Sequence, residues 1–256
     1  MGAGHSPDWT IPQDHGHFTP GEHQTWTTLY ERQAALLPGR ACQPFLDGLD
    51  QLDLKGAGIP RFDDLNERLG ALTGWKVVAV PGLVPDEVFF EHLANRRFPS
   101  GNFIRRPDQL DYLQEPDVFH DVFGHVPMLT DPVFADYMQA YGRGGLRALG
   151  LGRLHNLARL YWYTVEFGLL QTAQGLRIYG AGILSSSSES VYCLEDPRPT
   201  RIDFDLERVM RTPYRIDDLQ DRYFKIESLQ QLLDATAGQD FGPLYERLAV
   251  LPDLVI

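Results

Sequence analysis

Two histidines, His120 and His125, stand near the middle of the chain among aromatic and aliphatic residues. An apolar setting favours the neutral imidazole, which is the form that binds metal ions. Residues five apart point roughly 140° away from each other on an ideal α-helix, so both rings can face one ion only if the helix ends between them. Gly124 and Pro127 favour such an ending. The pattern predicts a short helix that begins at Pro116 and carries His120, with His125 just beyond its end.

A third ligand candidate lies in a helix that the sequence predicts from Leu154 to about Gln171. This helix is apolar almost all round, which indicates that it is buried. It nevertheless carries Glu166 in its middle, and a buried carboxylate is costly unless it is neutralised, paired or bound to a metal ion. A salt bridge to Arg159 or Arg153 is one alternative, and two core histidines without a metal ion is the other. Because a metal site needs a third ligand, we interpret the two histidines and Glu166 as one site.

Two histidines and one carboxylate are the ligand set of non-haem iron(II) oxygenases, where three coordination positions stay open for oxygen and substrate. Zinc hydrolases use the same set, usually with a separate carboxylate base. Asp121 adjoins His120 and could be that base, so a zinc hydrolase is a second hypothesis. A binding protein with a structural metal ion is the third.

Composition narrows the class of protein further. The chain has 256 residues and a formal net charge of −12, which argues against nucleic acid or an anionic membrane surface as a partner. Its two cysteines do not form a disulfide framework. The sequence shows no signal segment and no apolar run of membrane-spanning length, so a cytoplasmic location is expected.

Hydrophobic periodicity predicts a mainly α fold with a few short β-strands. Residues 1–20 are rich in Gly, Pro and His and are expected to form a poorly ordered tail, and residues 21–256 form a single domain. The glycine-rich stretch 142–152 is interpreted as a flexible connection or lid. The predicted strands are Trp75 to Val80, Asn102 to Arg105 and Tyr223 to Ile226.

Three linked motifs resemble the aromatic amino acid hydroxylases, above all their bacterial members. They are Pro116-Asp-Val-Phe-His-Asp-Val-Phe-Gly-His-Val-Pro127, Tyr161-Trp-Tyr-Thr-Val-Glu-Phe-Gly168 and Tyr179-Gly-Ala-Gly-Ile-Leu-Ser-Ser186. The resemblance runs over about residues 22–235 with consistent spacing. It implies the single catalytic domain of that family, which uses a pterin to insert one oxygen atom of O2 into the ring of a free aromatic amino acid.

The resemblance also implies cofactors, substrates and assembly. The cofactors are Fe(II) and a tetrahydropterin, either tetrahydrobiopterin or a related bacterial pterin. The substrates are L-phenylalanine, O2 and the pterin, and the product is L-tyrosine; tryptophan or tyrosine as the ring substrate is the alternative. The chain lacks the regulatory domain and the tetramerising helix of animal members, so a monomer is expected.

Site residues follow from the same resemblance, position by position. The iron ligands, which are also the catalytic residues, are His120, His125 and Glu166. The residues around the amino acid are Arg105, Pro116, Asp117, Trp162, Phe167, Gly182 and Ser185, with Arg105 and Ser185 holding the carboxylate. The residues around the pterin are Gly82, Leu83, Phe89, Asp121, Tyr161 and Tyr179, with the Phe89 ring stacked on the pterin.

Two further expectations concern the surroundings of the iron. Asp117 is a candidate to orient His120 or His125 by accepting a hydrogen bond from an imidazole. Leu113 and Gln114 depart from the family pattern, because animal members have Thr and Pro at these substrate-contacting positions.

Overall fold

The computed structural model describes residues 6–55, 58–111, 115–216 and 218–254. Leu113 and Gln114 therefore lie outside the described residues. The helices are α1 Pro20–Leu36, α2 Gln43–Gln51, α3 Phe62–Thr73, α4 Asp86–Ala94, α5 Pro132–Gly150, α6 Leu154–Tyr161, α7 Ala181–Leu184, α8 Ser187–Glu195, α9 Leu206–Arg211, α10 Leu229–Thr236 and α11 Gly242–Leu248. The strands are β1 Lys76–Val80, β2 Arg97–Gly101, β3 Leu169–Thr172, β4 Gly175–Ile178, β5 Thr200–Asp203 and β6 Arg222–Ile226. The prediction of a mainly α fold with a few short strands is confirmed.

The strands form two small sheets that flank the helical core. In the first sheet β1 pairs in parallel with β2. The second has the order β4-β3-β6-β5, in which β3 is antiparallel to β4 and parallel to β6, and β5 is parallel to β6. The predicted strands at Trp75 to Val80 and Tyr223 to Ile226 agree with β1 and β6.

Helix starts follow local capping chemistry. The Thr19 hydroxyl accepts a hydrogen bond from the Glu22 amide, and the Glu22 carboxylate accepts one from the Thr19 amide, which is a complete capping box for α1. The Asp131 carboxylate accepts from the Val133 and Phe134 amides at the start of α5. These side chains satisfy amide groups that have no partner within the helix, so the helix starts are set by nearby residues.

The segment that carries the two histidines runs through the centre of the core. Phe119 and Phe123 are fully buried, with their rings stacked at a centroid distance of 4.8 Å. Trp26 of α1 meets Phe119 edge-on at 5.2 Å, and Phe45 of α2 meets Phe123 at 5.7 Å. Aromatic contacts from two separate helices therefore hold this segment in place.

The histidine segment is a π-helix from Phe119 to His125, and this differs from the predicted ending between the two histidines. A π-helix joins residues i and i+5, so residues five apart come to the same side. His120 and His125 face one point because the helix widens. Gly124 lies inside it, and a Cβ atom there would come within 2.9 Å of the Ala181 carbonyl oxygen. The glycine allows α7 to approach.

Glu166 also ends a π-helix. The predicted continuous helix from Leu154 to about Gln171 is wrong, because α6 ends at Tyr161, a π-helix follows from Trp162 to Glu166, and β3 begins at Leu169. The Phe167 amide donates to the Trp162 carbonyl at 2.8 Å, which is an i to i+5 bond. Tertiary contacts therefore override the apolar periodicity that extended the predicted helix.

The glycine-rich stretch 142–152 is not a flexible connection, since most of it belongs to α5. A Cβ atom at Gly142 would lie 2.7 Å from Leu93, and one at Gly145 would lie 2.0 Å from the Phe90 ring. The glycines thus allow α4 to pack closely on α5, and this packing offsets their low helix propensity.

One predicted strand differs from the structure. The strand predicted at Asn102 to Arg105 lies earlier, as β2, because its partner β1 sets the register. In the predicted tail, Ile11 pairs with Ala79, and the Gln13 side chain donates to the Pro60 carbonyl at 2.8 Å. The division of the chain at residue 20 stays a prediction.

Within the residues that the structure describes, no helix combines the length and apolar character that crossing a bilayer requires.

Candidate metal centre and flanking cavities

The two π-helices bring His120, His125 and Glu166 together. The Nε2 atoms of the two histidines are 3.2 Å apart. His125 Nε2 lies 3.2 Å from Glu166 Oε1, and His120 Nε2 lies 3.6 Å from Glu166 Oε2. Arg159, the sequence alternative for pairing with Glu166, instead pairs with Asp253 at 2.6 Å.

These distances fit one shared ion. Ligand atoms about 2.1 Å from a metal ion and about 90° apart are separated by about 3.0 Å. The three side chains are largely buried, with exposed fractions of 18% for His120, 4% for His125 and 13% for Glu166. The donor set of two imidazoles and one carboxylate therefore fits a divalent transition metal such as iron.

The protonation states also suit ligation. Burial lowers the pKa of His120 to about 4, so its imidazole is neutral at physiological pH. Burial acts to raise the pKa of Glu166, but His125, His120 and the Gly182 amide outweigh it and hold the pKa below its usual value. A neutral imidazole and an ionised carboxylate are the forms that bind metal ions.

Ser185 sets the tautomer of His120. Its hydroxyl donates to the Ala181 carbonyl at 2.8 Å and lies 2.9 Å from His120 Nδ1. Since the hydroxyl proton is already used, Nδ1–H donates to Ser185 and the Nε2 lone pair faces the cluster. The structure thus places Ser185 against a candidate ligand, while the sequence comparison assigned it to the substrate carboxylate.

Asp117 is fully buried and engages Arg105. Its two carboxylate oxygens accept from Arg105 Nε and an η nitrogen, each at 2.9 Å, and from the Arg105 amide at 2.8 Å. Asp117 also accepts from the His120 backbone amide at 3.0 Å. The expectation that it orients a histidine through an imidazole nitrogen therefore differs from the structure, in which it orients Arg105 and the backbone of His120.

Asp121 is the other acid beside the cluster. Potential ligand atoms of His120, Asp121 and His125 lie within 4.8 Å of one another. However, one Asp121 oxygen accepts from the Gly101 amide at 2.8 Å, and burial raises the pKa of this carboxyl to about 7. Glu166 is the better third ligand, because each of its oxygens faces an imidazole and its ionised form is stabilised.

A cavity of about 480 Å³, here called the Trp162 cavity, opens on one side of the cluster. The predicted substrate residues that line it are Arg105, Pro116, Trp162, Phe167, Gly182 and Ser185, together with His120 and Glu166. Gly182 packs beneath Glu166, since a Cβ atom there would lie 3.2 Å from Glu166 Oε2 and 3.0 Å from the Phe167 ring. Asp117 is buried behind Arg105, and its contact with the cavity is indirect.

A second cavity of about 240 Å³, here called the Phe89 cavity, opens on the other side. The predicted pterin residues that line it are Gly82, Leu83, Phe89, Asp121 and Tyr161. Phe89 meets Tyr161 edge-on at 5.8 Å, and Leu83 is 71% exposed at the mouth. Pro116, His120 and Glu166 line both cavities, so the cluster lies where the two meet.

Tyr179 lies apart from the lining of either cavity. It is fully buried beneath Gly168, where a Cβ atom would come within 2.2 Å of the tyrosine ring, and its ring meets Phe134 at 6.2 Å. The sequence motif placed it near the site, whereas the structure makes it part of the core behind the Glu166 segment.

Several residues around the cluster were missed from the sequence. Phe98 of β2 lies over the His125 ring at a centroid distance of 4.8 Å. Glu189 and Gln220 line the Trp162 cavity, and Gln220 accepts the indole N–H of Trp162 at 3.0 Å. Glu189 follows a run of four serines that is typical of a helix start and does not indicate a cavity, and Gln220 belongs to an irregular segment with no pattern of its own.

The cluster of His120, His125 and Glu166 between two cavities is typical of one class of protein, the metal-dependent enzymes that bind ligands beside a metal ion. The family described as "Biopterin-dependent aromatic amino acid hydroxylase" matches residues 10–239. The chain belongs to this family, as its three sequence motifs indicated. The family match does not support the zinc hydrolase hypothesis.

Relatives and solved structures agree with this assignment. The chain is 69% identical over 251 residues to "Phenylalanine-4-hydroxylase" of Caulobacter vibrioides, covering 98% of this chain and 85% of the relative. The protein of the same name from Ralstonia nicotianae is 66% identical, with coverage of 96% and 78%. Phenylalanine hydroxylase of Chromobacterium violaceum bound to cobalt superimposes with a TM-score of 0.96 at 60% identity, covering 98% of this chain and 91% of the other. A structure of that enzyme with oxidised Fe(III) gives 0.95 at 61% identity, with the same coverage.

Proposed function

We propose that this protein is an iron- and tetrahydropterin-dependent monooxygenase that converts L-phenylalanine and O2 into L-tyrosine. The observation that carries the proposal is the buried cluster of two histidines and one glutamate at the junction of two cavities. The names of the relatives support phenylalanine as the ring substrate over tryptophan or tyrosine.

His120, His125 and Glu166 would hold the iron. The Glu166 carboxylate supplies one negative charge, which reduces the charge of a divalent ion without neutralising it. When bound, iron and the reduced pterin supply the chemistry that activates O2 and transfers one oxygen atom to the aromatic ring. The protein keeps His120 in its ligating tautomer through Ser185, and it keeps water from the reacting groups by burying them.

The Trp162 cavity would bind phenylalanine. Arg105 donates from Nε and one η nitrogen to Asp117, and from the other η nitrogen to the Leu110 carbonyl at 3.3 Å, which leaves one N–H on each η nitrogen for a carboxylate. The Trp162 and Phe167 rings, 4.7 Å apart, form an aromatic wall for the substrate ring. Gly182, Pro116 and Ser185 complete the floor near the cluster, and Asp117 holds the arginine in position.

The Phe89 cavity would bind the pterin. Backbone groups of Gly82 and Leu83 can hydrogen-bond the polar edge of the pterin, while the Phe89 ring contacts its face. Tyr161 and Asp121 line the inner end beside the metal ligands. We assign Tyr179 an indirect role, as the support of the Glu166 segment.

The wider setting of the enzyme is also a proposal. We propose that residues 21–256 form the catalytic domain and that the protein works as a cytoplasmic monomer without a nucleic-acid partner. The formal charge of −12 supports the last point, because it repels polyanions. Light scattering during size-exclusion chromatography tests the monomer, with a mass of 29.0 kDa expected.

The decisive experiment is product analysis. Purified protein is incubated with Fe(II), tetrahydrobiopterin and labelled ¹⁸O2, and with phenylalanine, tryptophan or tyrosine in separate reactions. Phenylalanine should give tyrosine that carries one ¹⁸O atom, at a higher kcat/KM than any product of the other two. Products formed without O2 or pterin, or a preference for another amino acid, would contradict the proposal.

A further inference from the structure

Gln220 joins three parts of the wall of the Trp162 cavity. Its side-chain oxygen accepts the indole N–H of Trp162 at 3.0 Å. Its side-chain nitrogen donates to the carbonyls of Arg215 at 2.9 Å and Asp218 at 3.3 Å, and its backbone amide donates to Glu189 at 3.1 Å. The residue is 4% exposed, so these contacts are made away from solvent.

This pattern determines the orientation of the amide. A primary amide has two N–H donors and one oxygen acceptor. Because both donors meet the carbonyls of Arg215 and Asp218, the side-chain oxygen must face the indole. The Tyr223 hydroxyl in β6 donates to Glu189 in α8. The hydrogen bonds of Gln220 therefore connect it to α8, through α8 to β6, and to the π-helix that carries Trp162.

Trp162 depends on this link for its position. Its ring is stacked on Tyr214 at 4.4 Å and packs against Phe167 at 4.7 Å, and both contacts permit sliding in the ring plane. The hydrogen bond to Gln220 fixes the indole in that direction, since hydrogen bonds are directional and stacking is much less so.

The loop that Gln220 holds is also part of the cavity. Ile216 and Leu219 line its mouth although they are 59% and 38% exposed. Exposed apolar side chains at a cavity mouth gain by covering an apolar ligand. Gln220 therefore holds both an aromatic wall and an apolar rim around one pocket.

We propose that Gln220 is a positioning residue that sets the affinity and ring selectivity of the Trp162 cavity by fixing the Trp162 indole and the rim residues Ile216 and Leu219. The proposal rests on the proposed function, because it takes phenylalanine as the ligand of this cavity. It predicts that Gln220 affects the amino acid and leaves the pterin unaffected, since Gln220 does not line the Phe89 cavity.

The test substitutes Gln220→Met, which keeps the length of the side chain and removes its hydrogen bonds. KM for phenylalanine should rise about tenfold, a factor equivalent to about 1.4 kcal/mol, while KM for the pterin and kcat change by less than about twofold. The preference for phenylalanine over tryptophan should fall, because the aromatic wall can tilt. Gln220→Asn, which is one methylene too short to span both partners, should act in the same direction if the Met variant does not fold.

Two controls separate positioning from general loss of structure. Gln139→Met removes comparable hydrogen bonds, to the Ala94 carbonyl and from Arg96, on a helix that does not line the cavity, and it should leave KM unchanged. In a Trp162→Phe background, which lacks the indole N–H, Gln220→Met should raise KM by a smaller factor than in the wild type, because only its contacts with Arg215 and Asp218 are then lost.

Two results would overturn the inference while the proposed function stands. One is that the wild type forms tyrosine while both variants, Gln220→Met and Gln220→Asn, have an unchanged KM for phenylalanine. The other is that Gln220→Met raises KM for phenylalanine by the same factor in the wild type and in the Trp162→Phe background. A wild-type protein that forms no tyrosine would overturn the proposed function, and this inference with it.

Discussion

The two cavities meet at the cluster of His120, His125 and Glu166 but differ in the chemistry of their walls. Aromatic rings and acids line both cavities, but the Phe89 cavity is bordered by the loop that contains Gly82, whereas the Trp162 cavity carries the guanidinium group of Arg105. A flat ring with a polar edge suits the first cavity, and a zwitterion with an apolar ring suits the second. The comparison teaches that one ion can serve two ligands because each is recognised by different forces.

Replacement of Glu166 by Gln should abolish the function of both cavities together. The amide is a poor ligand and leaves the two imidazoles without an anionic partner, so iron content should fall and kcat/KM should drop by about a thousandfold. Metal analysis and tyrosine formation measure the two effects. Glu195→Gln, an exposed glutamate paired with Arg40, is the control and should behave as wild type. Full iron occupancy in Glu166→Gln would contradict its role as a ligand.

Arg105→Lys should separate the cavities. Lysine keeps the charge but has no second edge with which to bind Asp117 and a substrate carboxylate at the same time. The loss of about 2 kcal/mol of charge-assisted hydrogen bonding should raise KM for phenylalanine about thirtyfold. KM for the pterin should not change. The neighbouring Arg106→Lys is the matched control, because Arg106 is exposed and pairs with Asp108. Steady-state kinetics, with phenylalanine and the pterin varied in turn, measure the two KM values. Equal changes in both would contradict the assignment of separate ligands to the two cavities.

Phe89→Leu should affect the Phe89 cavity and leave the Trp162 cavity unaffected, and its effect on KM should be smaller than that of Arg105→Lys. Loss of the aromatic ring removes about 1 kcal/mol of contact with the pterin face, so KM for the pterin should rise about fivefold. KM for phenylalanine is the internal control and should stay within about twofold. An unchanged KM for the pterin would mean that the ring contributes only to packing against Tyr161.

The smallest effect concerns stability and pH. Burial raises the pKa of Glu189, as does the nearby Asp218, and hydrogen bonds from Tyr223 and Gln220 counter them only in part. A raised pKa means that the folded state binds the proton more tightly, so this contribution to stability is present at low pH and is lost as the pH rises through the folded pKa.

Glu189→Gln removes that dependence. Relative to wild type, the variant should therefore gain free energy of unfolding as the pH rises through the folded-state pKa of Glu189, because glutamine cannot ionise. Urea titrations at several pH values measure the difference. A flat difference for Glu189→Gln would contradict the raised pKa.

The candidate site was largely predictable because its ligands occur in motifs with fixed spacing. Residues 120, 125 and 166 were selected from burial and chemistry, and the structure brings them within 3.6 Å. The path of the backbone was not predictable. The five-residue spacing indicated that the helix ends, whereas the structure uses a π-helix, whose stability depends on tertiary contacts that periodicity does not contain.

Partners of charged and polar side chains were the other unpredictable feature. Asp117 was expected beside an imidazole and instead binds Arg105, and Ser185 was expected at the substrate and also meets His120. Each change is a matter of a few ångströms, and which of two nearby groups a side chain meets depends on how the segments pack. Gln220 gave no signal, because its partners are distant in the chain or belong to an irregular loop.

By itself, the sequence determined the mainly α fold, the ligand types and the family, because burial, residue chemistry and motif spacing are local properties of the chain. The tertiary structure decided how the two histidines come to share a face, which groups Asp117 and Ser185 contact, and how Trp162 is held. These depend on contacts between segments that are far apart in the chain, and such contacts exist only once the core has packed.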